Sequence, residues 1–321
     1  MMEIIRSLDE WKRPARRVAI AIGVFDGVHA GHREIIRRLV DGAVPTEAAP
    51  VVYTFDPHPR AVLQAPRSPR ILTTLEEKSA ILESLGVGIL VVIPFTRRFA
   101  GTPAEEFVRT RMVARFRVAR LVVGYDFRLG RGREGNGTVL GELGGQYGFS
   151  VDHVGPYEID GRAVKSTWIR DEIEAGEVER ASRLLRRHHS LAGTVVAGDG
   201  RGRTLGFPTA NLEGWPPDKL LPANGVYAAF AEGPGKLHPA LVNIGVRPTF
   251  GEGGERKVEA HLLDFEGNLV GKRLALHFVR RIRRERAFAS PEELSAQIGR
   301  DREEGRGALR EGSRKFVFTR F

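Results

Sequence analysis

Short apolar runs alternate with helical patterns along the first half of the chain. Continuous runs such as Val18–Ile22 are typical of strands that are buried on both faces of a parallel sheet. After this run, Ile35, Ile36, Leu39 and Val40 recur at helical spacing. The predicted strands cover residues 18–22, 50–55, 88–95, 120–127 and 149–154, and the predicted helices cover 31–41, 75–85, 103–116 and 137–147. This alternation predicts an open parallel sheet with helices on both faces.

The pattern changes near residue 187. Residues 171–188 are charged and helical, and after them apolar residues alternate with period two and glycine becomes frequent. The predicted strands of this half cover residues 192–198, 225–231, 239–245, 257–264 and 272–280, and a last helix covers 290–304. Short strands separated by turn signals predict an antiparallel barrel or sandwich. We therefore expect two domains, residues 1–186 and 187–321.

The most distinctive segment is the glycine-rich turn Gly23–His32, GVFDGVHAGH, between the first predicted strand and helix. In such a turn the backbone N–H groups and the positive end of the helix dipole point at the bound group, which is usually a phosphate. His29 and His32 flank Gly31, which has no side chain, so both imidazoles can contact one phosphoryl group. A metal-binding pair or ordinary surface histidines are the alternatives, and the position between a strand and a helix favours the phosphate site.

Other distinctive strings also follow predicted strands, where ligands bind in parallel sheets. The string from Tyr53 to Pro59 reads as a rigid turn with two prolines. Asp126, in VVGYDFRLG, is able to accept hydrogen bonds from a nucleotide or flavin, or belongs to a polar loop. The helix start KSTWIR, residues 165–170, combines cap-type hydroxyls with two cations, which also suits a phosphate.

The second half carries its own strings. The glycine-rich segment Gly193–Arg203 is able to lie over phosphates, although hairpin turns also collect glycine. In the string LGFPTANL, Pro208 stiffens a turn and presents Thr209 and Asn211, whose oxygens suit Mg²⁺; a structural turn is the alternative. Residues 243–250 read as a further rigid loop. The alternation in KVEAHL, residues 257–262, directs Glu259 away from the core.

Taken in order, these strings resemble a known family. The spacing of His29 and His32 is similar to the nucleotidyltransferase signature, and the whole set resembles the prokaryotic bifunctional riboflavin kinase/FAD synthetase family. The resemblance implies an N-terminal Rossmann-like nucleotidyltransferase domain with a parallel sheet, and a C-terminal riboflavin-kinase β-barrel with a C-terminal helix. Two positions depart from the family pattern: Lys165 stands where a serine is usual, and Leu129 where phenylalanine is common.

The resemblance also implies the chemistry. ATP phosphorylates riboflavin to FMN in the C-terminal domain, with Glu259 as catalytic base and with Mg²⁺ held by Thr209 and Asn211. FMN then attacks a second ATP in the N-terminal domain to give FAD and pyrophosphate, with His29 and His32 as catalytic residues. The implied nucleotide-binding residues are Gly23, Phe25, Asp26, Gly31, Asp126, Ser166, Thr167, Arg170, Gly198, Arg203, Gly206 and Pro208.

Composition narrows the classes of protein that fit. The chain has 321 residues, 41% of them hydrophobic, and no cysteine, which excludes disulfides and a thiol nucleophile. No apolar stretch approaches the roughly 20 residues of a membrane span, and the start lacks signal-peptide features, so we expect a cytoplasmic protein. The net charge of +10 is spread along the chain, as on an Arg-rich surface, and phosphorylated small molecules account for the rest as well as nucleic acid does. Without a zinc-finger spacing or an RNA-binding string, we expect no nucleic-acid partner.

Two alternatives stay open at this point: a kinase with an inactive N-terminal domain, and an RNA-binding regulator derived from the enzyme. The expected partners are riboflavin, FMN, FAD and ATP. Self-association is also open, and a weak homo-oligomer is compatible with the sequence.

Overall fold

The computed structural model describes residues 1–7, 17–65, 68–198, 206–233, 236–246 and 256–312. By its internal contacts the chain divides into two compact units, Met1–Ser166 and Thr167–Phe321. The composition predicts the boundary near residue 187 instead, and the two divisions differ only over the helices that lie between these positions. The boundary near residue 187 stays a prediction.

The first unit contains a six-stranded parallel sheet, as the alternating pattern predicts. Its strands are β1 (Glu3–Ile5), β2 (Arg17–Ile22), β3 (Ala49–Asp56), β4 (Ile89–Pro94), β5 (Arg117–Gly124) and β6 (Ser150–Val154). They lie in the order β1-β4-β3-β2-β5-β6, and every neighbouring pair is parallel. The pattern does not reveal β1, because this edge strand has three residues and buries only Ile5 among them.

Helices connect these strands. They are α1 (Ala30–Ala43), α2 (Pro59–Leu63), α3 (Leu75–Ser84), α4 (Arg97–Ala100), α5 (Ala104–Phe107) and α6 (Gly137–Tyr147). The predicted helix 103–116 is α5 followed by a π-helical segment, Val108–Val113. Short 3-10 turns cover Val44–Thr46 and Arg131–Arg133, and a small hairpin pairs β7 (Glu158–Ile159) with β8 (Arg162–Ala163).

One strand ends earlier than the pattern predicts. The apolar run suggests a strand over residues 120–127, but β5 ends at Gly124. The amide of Phe127 donates to the carbonyl oxygen of Gly124 at 3.0 Å, so the backbone turns here. As a consequence Asp126 lies in the loop beyond the strand and its side chain is exposed.

The second unit contains a closed antiparallel barrel, which confirms the barrel and excludes the sandwich. Its strands are β9 (His189–Val196), β10 (Ala210–Glu213), β11 (Gly225–Gly233), β12 (Lys236–Val246), β13 (Arg256–Leu262) and β14 (Arg273–Arg283). They close in the order β10-β13-β12-β11-β14-β9, because β9 also pairs with β10. The barrel interior is filled by alternate residues such as Val242, Val258 and Ala260.

Three helices accompany the barrel: α7 (Ser166–Ala175), α8 (Val178–Leu185) and α9 (Pro291–Gly312). The long helix α9 packs on the outer barrel surface, where its Ala308 and Leu309 meet Ala228 and Val279. The packing is close, since a Cβ on Gly305 would lie 2.7 Å from Leu241 Cδ2.

The glycine-rich segment Gly193–Arg203 and the segment 243–250 each begin in a strand. Residues 193–196 belong to β9 and residues 243–246 belong to β12, in agreement with the predicted strands over 192–198 and 239–245. Pairing with neighbouring strands keeps the backbone extended there, so these residues are not part of a loop. Residues 199–203 and 247–250 of these segments lie outside the described residues.

Candidate active sites

The first site lies where the strand order of the parallel sheet reverses. The chain passes from β2 to β3 on one side of β2, and β5 lies on the other side. Ligands of open α/β sheets bind at such a point, beyond the carboxyl ends of the strands. The turn that begins at Gly23 follows β2, and Asp126 follows β5, so the fold brings both predicted segments to the same sheet edge.

The turn has an unusual backbone. Phe25, Gly27 and Val28 have φ values of 49°, 83° and 38°. Positive φ is costly for a bulky or β-branched side chain, and persists where the surroundings impose it. Phe25 and Val28 are fully buried, so packing holds them there, and the Phe25 ring lies over Gly23, where a Cβ would come within 3.1 Å of it.

The segment that contains Leu72 and Thr73 holds this turn in place through hydrogen bonds. One carboxylate oxygen of Asp26 accepts hydrogen bonds from the amides of Leu72 and Thr73 at 2.9 and 3.1 Å. The Gly27 amide donates to the Thr73 hydroxyl at 3.0 Å. Asp26 is 3% exposed, so its carboxylate faces this segment and its predicted role in nucleotide binding stays a prediction.

A buried lysine also holds this turn in place. Lys78, in α3, donates from Nζ to the Val24 carbonyl oxygen at 2.8 Å and to the Thr54 hydroxyl at 3.2 Å. The Thr54 hydroxyl donates to the same carbonyl oxygen at 3.0 Å. Lys78 does not stand out in the sequence as a site residue, because a lysine in a charged helix normally points to solvent. Thr54 does not stand out either.

The two histidines meet as the spacing predicts. His29 caps α1 and accepts a hydrogen bond from the His32 amide at Nδ1. Their rings stack with centroids 3.6 Å apart and an interplanar angle of 18°. Gly31 lies beside them, where a Cβ would come within 3.3 Å of the His29 ring. Burial, then the charges of His29 and Lys78, hold the pKa of His32 well below its usual value, so His32 is neutral at pH 7.

Asp126 and Lys165 form an ion pair at the edge of this site. Lys165 Nζ lies 3.6 Å from Asp126 Oδ2 and 5.7 Å from the centroid of the Tyr125 ring. Both charged side chains are more than half exposed. The departure from the family pattern at position 165 thus places a cation against a predicted nucleotide-binding residue.

Ser166, the first residue of α7, contacts the turn through its hydroxyl group. Ser166 Oγ donates to the backbone carbonyl oxygen of Asp26 at 3.0 Å. Thr167 and Arg170 follow in the same helix; Thr167 is exposed and Arg170 is buried. The roles of all three residues in binding the triphosphate stay predictions.

The second site is on the outer face of the barrel. Asn211 of β10 lies directly opposite Glu259 of β13 in the antiparallel register. Residues so paired have Cβ atoms about 4.5–5.5 Å apart. Val258 and Ala260 point into the core, so Glu259 points outward, as the alternation predicts. The fold therefore places the predicted base beside a predicted Mg²⁺ ligand.

Nearby loop residues contact Asn211 and the strand that carries Glu259. Gly198 lies so close to Asn211 that a Cβ on it would be 2.0 Å from Asn211 Nδ2. The Pro208 carbonyl oxygen accepts a hydrogen bond from His261 Nδ1 at 2.8 Å. Gly206 has a φ of 81°, which favours glycine at that position. The predicted contact Arg203 lies outside the described residues.

The long helix also reaches this site. The Arg302 guanidinium of α9 lies over the Phe207 ring, 5.8 Å from its centroid. Phe207 in turn meets the His261 ring edge-on, with centroids 5.7 Å apart. Sequence reasoning does not find Arg302, because contacts between distant segments leave no local pattern.

The predicted magnesium ligands are hard oxygen donors. Thr209 is exposed and Asn211 is half-buried, so both side chains are accessible from solvent. Among the residues that the structure describes, no group of three or more His, Asp or Glu side chains forms a metal site. The two neutral oxygens therefore fit Mg²⁺ only together with phosphate oxygens, which is the usual arrangement for this ion in kinases.

Two family models match the chain, one in each half. The model described as FAD synthetase matches residues 12–168, and the model described as riboflavin kinase matches residues 185–309. With the sheet domain and the barrel described above, these matches define a two-domain transferase.

Whole-chain relatives identify the family. Bifunctional riboflavin kinase/FMN adenylyltransferase from Escherichia coli K12 is 37% identical over 94% of this chain and 96% of its own length. The proteins of the same name from Pseudomonas fluorescens and Bacillus subtilis are 36% and 34% identical, covering 94% and 91% of this chain and 96% and 93% of their own lengths. This chain belongs to the bifunctional riboflavin kinase/FMN adenylyltransferase family.

A solved structure matches both domains. A Streptococcus pneumoniae chain described as a macrolide-efflux protein is 30% identical, with a TM-score of 0.87 over 95% of this chain and 98% of that chain. In the described part of the present chain, no helix is both long enough and apolar enough to span a membrane.

Proposed function

We propose that this enzyme makes FAD from riboflavin in two ATP-dependent steps, each at its own set of residues. The family assigns both activities, with the adenylyltransferase in the first half of the chain and the kinase in the second. Riboflavin, FMN, FAD and ATP are then the substrates and products, and the cytoplasm is the proposed compartment.

In the kinase step, Glu259 accepts the proton of the riboflavin 5′-hydroxyl. The hydroxyl oxygen forms a bond to the γ-phosphorus of ATP, and the bond from that phosphorus to ADP breaks. Thr209 and Asn211 would hold Mg²⁺, which when bound neutralises charge on the phosphates. The register that sets Asn211 directly opposite Glu259 supports this assignment, because these two residues occupy neighbouring positions.

In the adenylylation step, a phosphate oxygen of FMN forms a bond to the α-phosphorus of ATP, and pyrophosphate leaves. The stacked rings of His29 and His32 carry this assignment, because two adjacent imidazoles at the start of α1 are close enough together to contact one phosphoryl group. His32 is neutral at pH 7 and acts through its N–H, while backbone amides and the helix dipole supply positive potential.

The triphosphate is assigned to the start of α7. Ser166, Thr167 and Arg170 match the family's phosphate-binding string, and Asp126 is proposed to position the substrate. The hydrogen bond from Ser166 to Asp26 supports this assignment for Ser166, because it holds the Ser166 hydroxyl at the turn Gly23–His32.

Flavin chromatography tests both steps at once. The full chain, incubated with riboflavin, ATP and Mg²⁺, is expected to give FMN and then FAD. His29→Ala and His32→Ala are each expected to lower FAD formation by about 100-fold and to leave FMN formation intact. Glu259→Gln is expected to abolish FMN formation and to leave conversion of added FMN intact. FMN alone from the unmodified chain would instead support the kinase with an inactive N-terminal domain.

A further inference from the structure

A row of three polar side chains crosses the outer face of the barrel. Glu259 of β13 lies opposite Asn211 of β10 on one side and opposite Asn243 of β12 on the other. All three residues are half-buried, whereas Val258 and Ala260 beside Glu259 fill the barrel core. One carboxylate is therefore flanked by two carboxamides at cross-strand distance, about 4.5–5.5 Å between Cβ atoms.

The side chains of this row have no partner among the described residues. Within the described ranges, no hydrogen bond or ion pair engages the side chain of Asn211, Glu259 or Asn243. Polar side chains that hold a fold together are normally paired with neighbours. These three are instead left with their hydrogen-bonding groups available on an accessible face.

The two carboxamides have different neighbours. Asn211 lies against Gly198 and next to Thr209, on the side of the predicted metal and phosphate. Asn243 lies on the opposite side of Glu259, away from this loop. Its NH₂ group is a donor, and an ionised carboxylate is an acceptor with two oxygens.

We propose that Asn243 is a positioning residue of the kinase site. When the substrates bind, its carboxamide turns to donate a hydrogen bond to one oxygen of Glu259, which leaves the other oxygen to take the proton of the riboflavin hydroxyl. Asn243 thus orients the base. This inference rests on the proposed role of Glu259.

Several charged or titratable groups share this face with Glu259 and are unchanged in the variants below. Lys257 and His261 lie two positions away on β13, and Glu213 lies two positions from Asn211 on β10. On the remaining sides, Glu285 lies over Gly245 of β12, and Arg302 of α9 lies over Phe207. A difference between variants at position 243 therefore reports on that position alone.

Steady-state FMN formation by the full chain tests the proposal. Asn243→Ala is expected to lower kcat about tenfold, with the KM for riboflavin nearly unchanged. This loss is smaller than the whole contribution of general-base catalysis, because Glu259 itself is still present. Asn243→Asp, which keeps the size of the side chain but replaces the donor with a carboxylate, is expected to lower kcat at least as much as Asn243→Ala. Asn243→Ser, which keeps a donor, is expected to recover part of the rate lost in Asn243→Ala.

Controls separate this proposal from the assignment of the base. Asn268→Ala, a surface asparagine in a turn, is expected to have no effect, and FAD formation from added FMN reports that each variant is folded. Full activity in Glu259→Gln would overturn the role of Glu259. Loss of activity in Glu259→Gln together with normal kcat in Asn243→Ala or in Asn243→Asp would overturn the role of Asn243 alone.

Discussion

Lys78 Nζ donates a 2.8 Å hydrogen bond to the backbone carbonyl oxygen of Val24, which belongs to the histidine turn, Gly23–His32. Lys78 is 6% exposed, and burial lowers the pKa of its ammonium group, while Asp26 and Asp56 oppose that shift. A buried charge is costly unless it is paired or hydrogen-bonded. The contacts to Val24 and Thr54 therefore tie the lysine and the turn together.

We expect Lys78→Met to weaken this support while keeping most of the buried volume. The Val24 carbonyl and Thr54 hydroxyl lose a donor, which is expected to lower the free energy of unfolding by about 2 kcal/mol. FAD formation from FMN is expected to fall, because the turn carries His29 and His32. The kinase rate of the same chain is the internal control, and an unchanged rate of FAD formation would show that the turn holds without Lys78.

The ion pair between Lys165 and Asp126 predicts an effect of salt on ATP binding. Both groups are exposed, so Lys165→Ser is expected to change stability by less than about 0.5 kcal/mol. The lost cation is expected to raise the KM for ATP in FAD formation severalfold at low salt and less at high salt. The KM for ATP is measured for the unmodified chain and for Lys165→Ser at low and at high ionic strength. A change in KM on substitution that is equal at both ionic strengths would place Lys165 outside the nucleotide site.

Gly198 offers a test that separates kinase activity from stability. A Cβ at Gly198 would lie 2.0 Å from Asn211 Nδ2, so the carboxamide of Asn211 would have to move. Gly198→Ala is therefore expected to leave Tm nearly unchanged and to lower FMN formation by more than about tenfold, since Asn211 leaves the metal position. Gly299→Ala is the matched control, because nothing lies within 4 Å of a Cβ there. Equal kinase rates in the two variants would contradict the role of Asn211.

Two buried histidines predict acid sensitivity of the barrel. Burial, followed by the charge of His277, lowers the pKa of His188 to about 4, and burial lowers the pKa of His189 further below its usual value. The unfolded chain binds these protons near the ordinary value of 6.5, and the folded chain does not until lower pH. Stability is therefore expected to fall as the pH drops from 6.5 toward 4, by about 3 kcal/mol for His188.

Urea unfolding at pH 7.5 and pH 5 measures this dependence. His188→Gln cannot take up the proton, so the difference in unfolding free energy between the two pH values is expected to be smaller than in the unmodified chain. An equal difference in both proteins would mean that other groups cause the acid sensitivity.

Much of the parallel sheet and the barrel is predictable from local pattern. The buried run of β2, the spacing in α1 and the alternation in β13 each follow from which side chains must leave water. The direction of Glu259 follows in the same way, because alternate residues of a strand point to opposite faces. The strand end at Gly124 was misplaced because apolar residues continue beyond it into a turn.

The residues around the histidine turn show where local pattern stops. The sequence by itself determined the turn, the pair His29 and His32, and the two-domain order, because these depend on residues close together in the chain. Only the tertiary structure decided that Lys78 supports Val24 and that Asn243 lies beside Glu259. Such contacts join segments far apart in sequence, and their register is set by the packing of whole strands and helices rather than by any one segment.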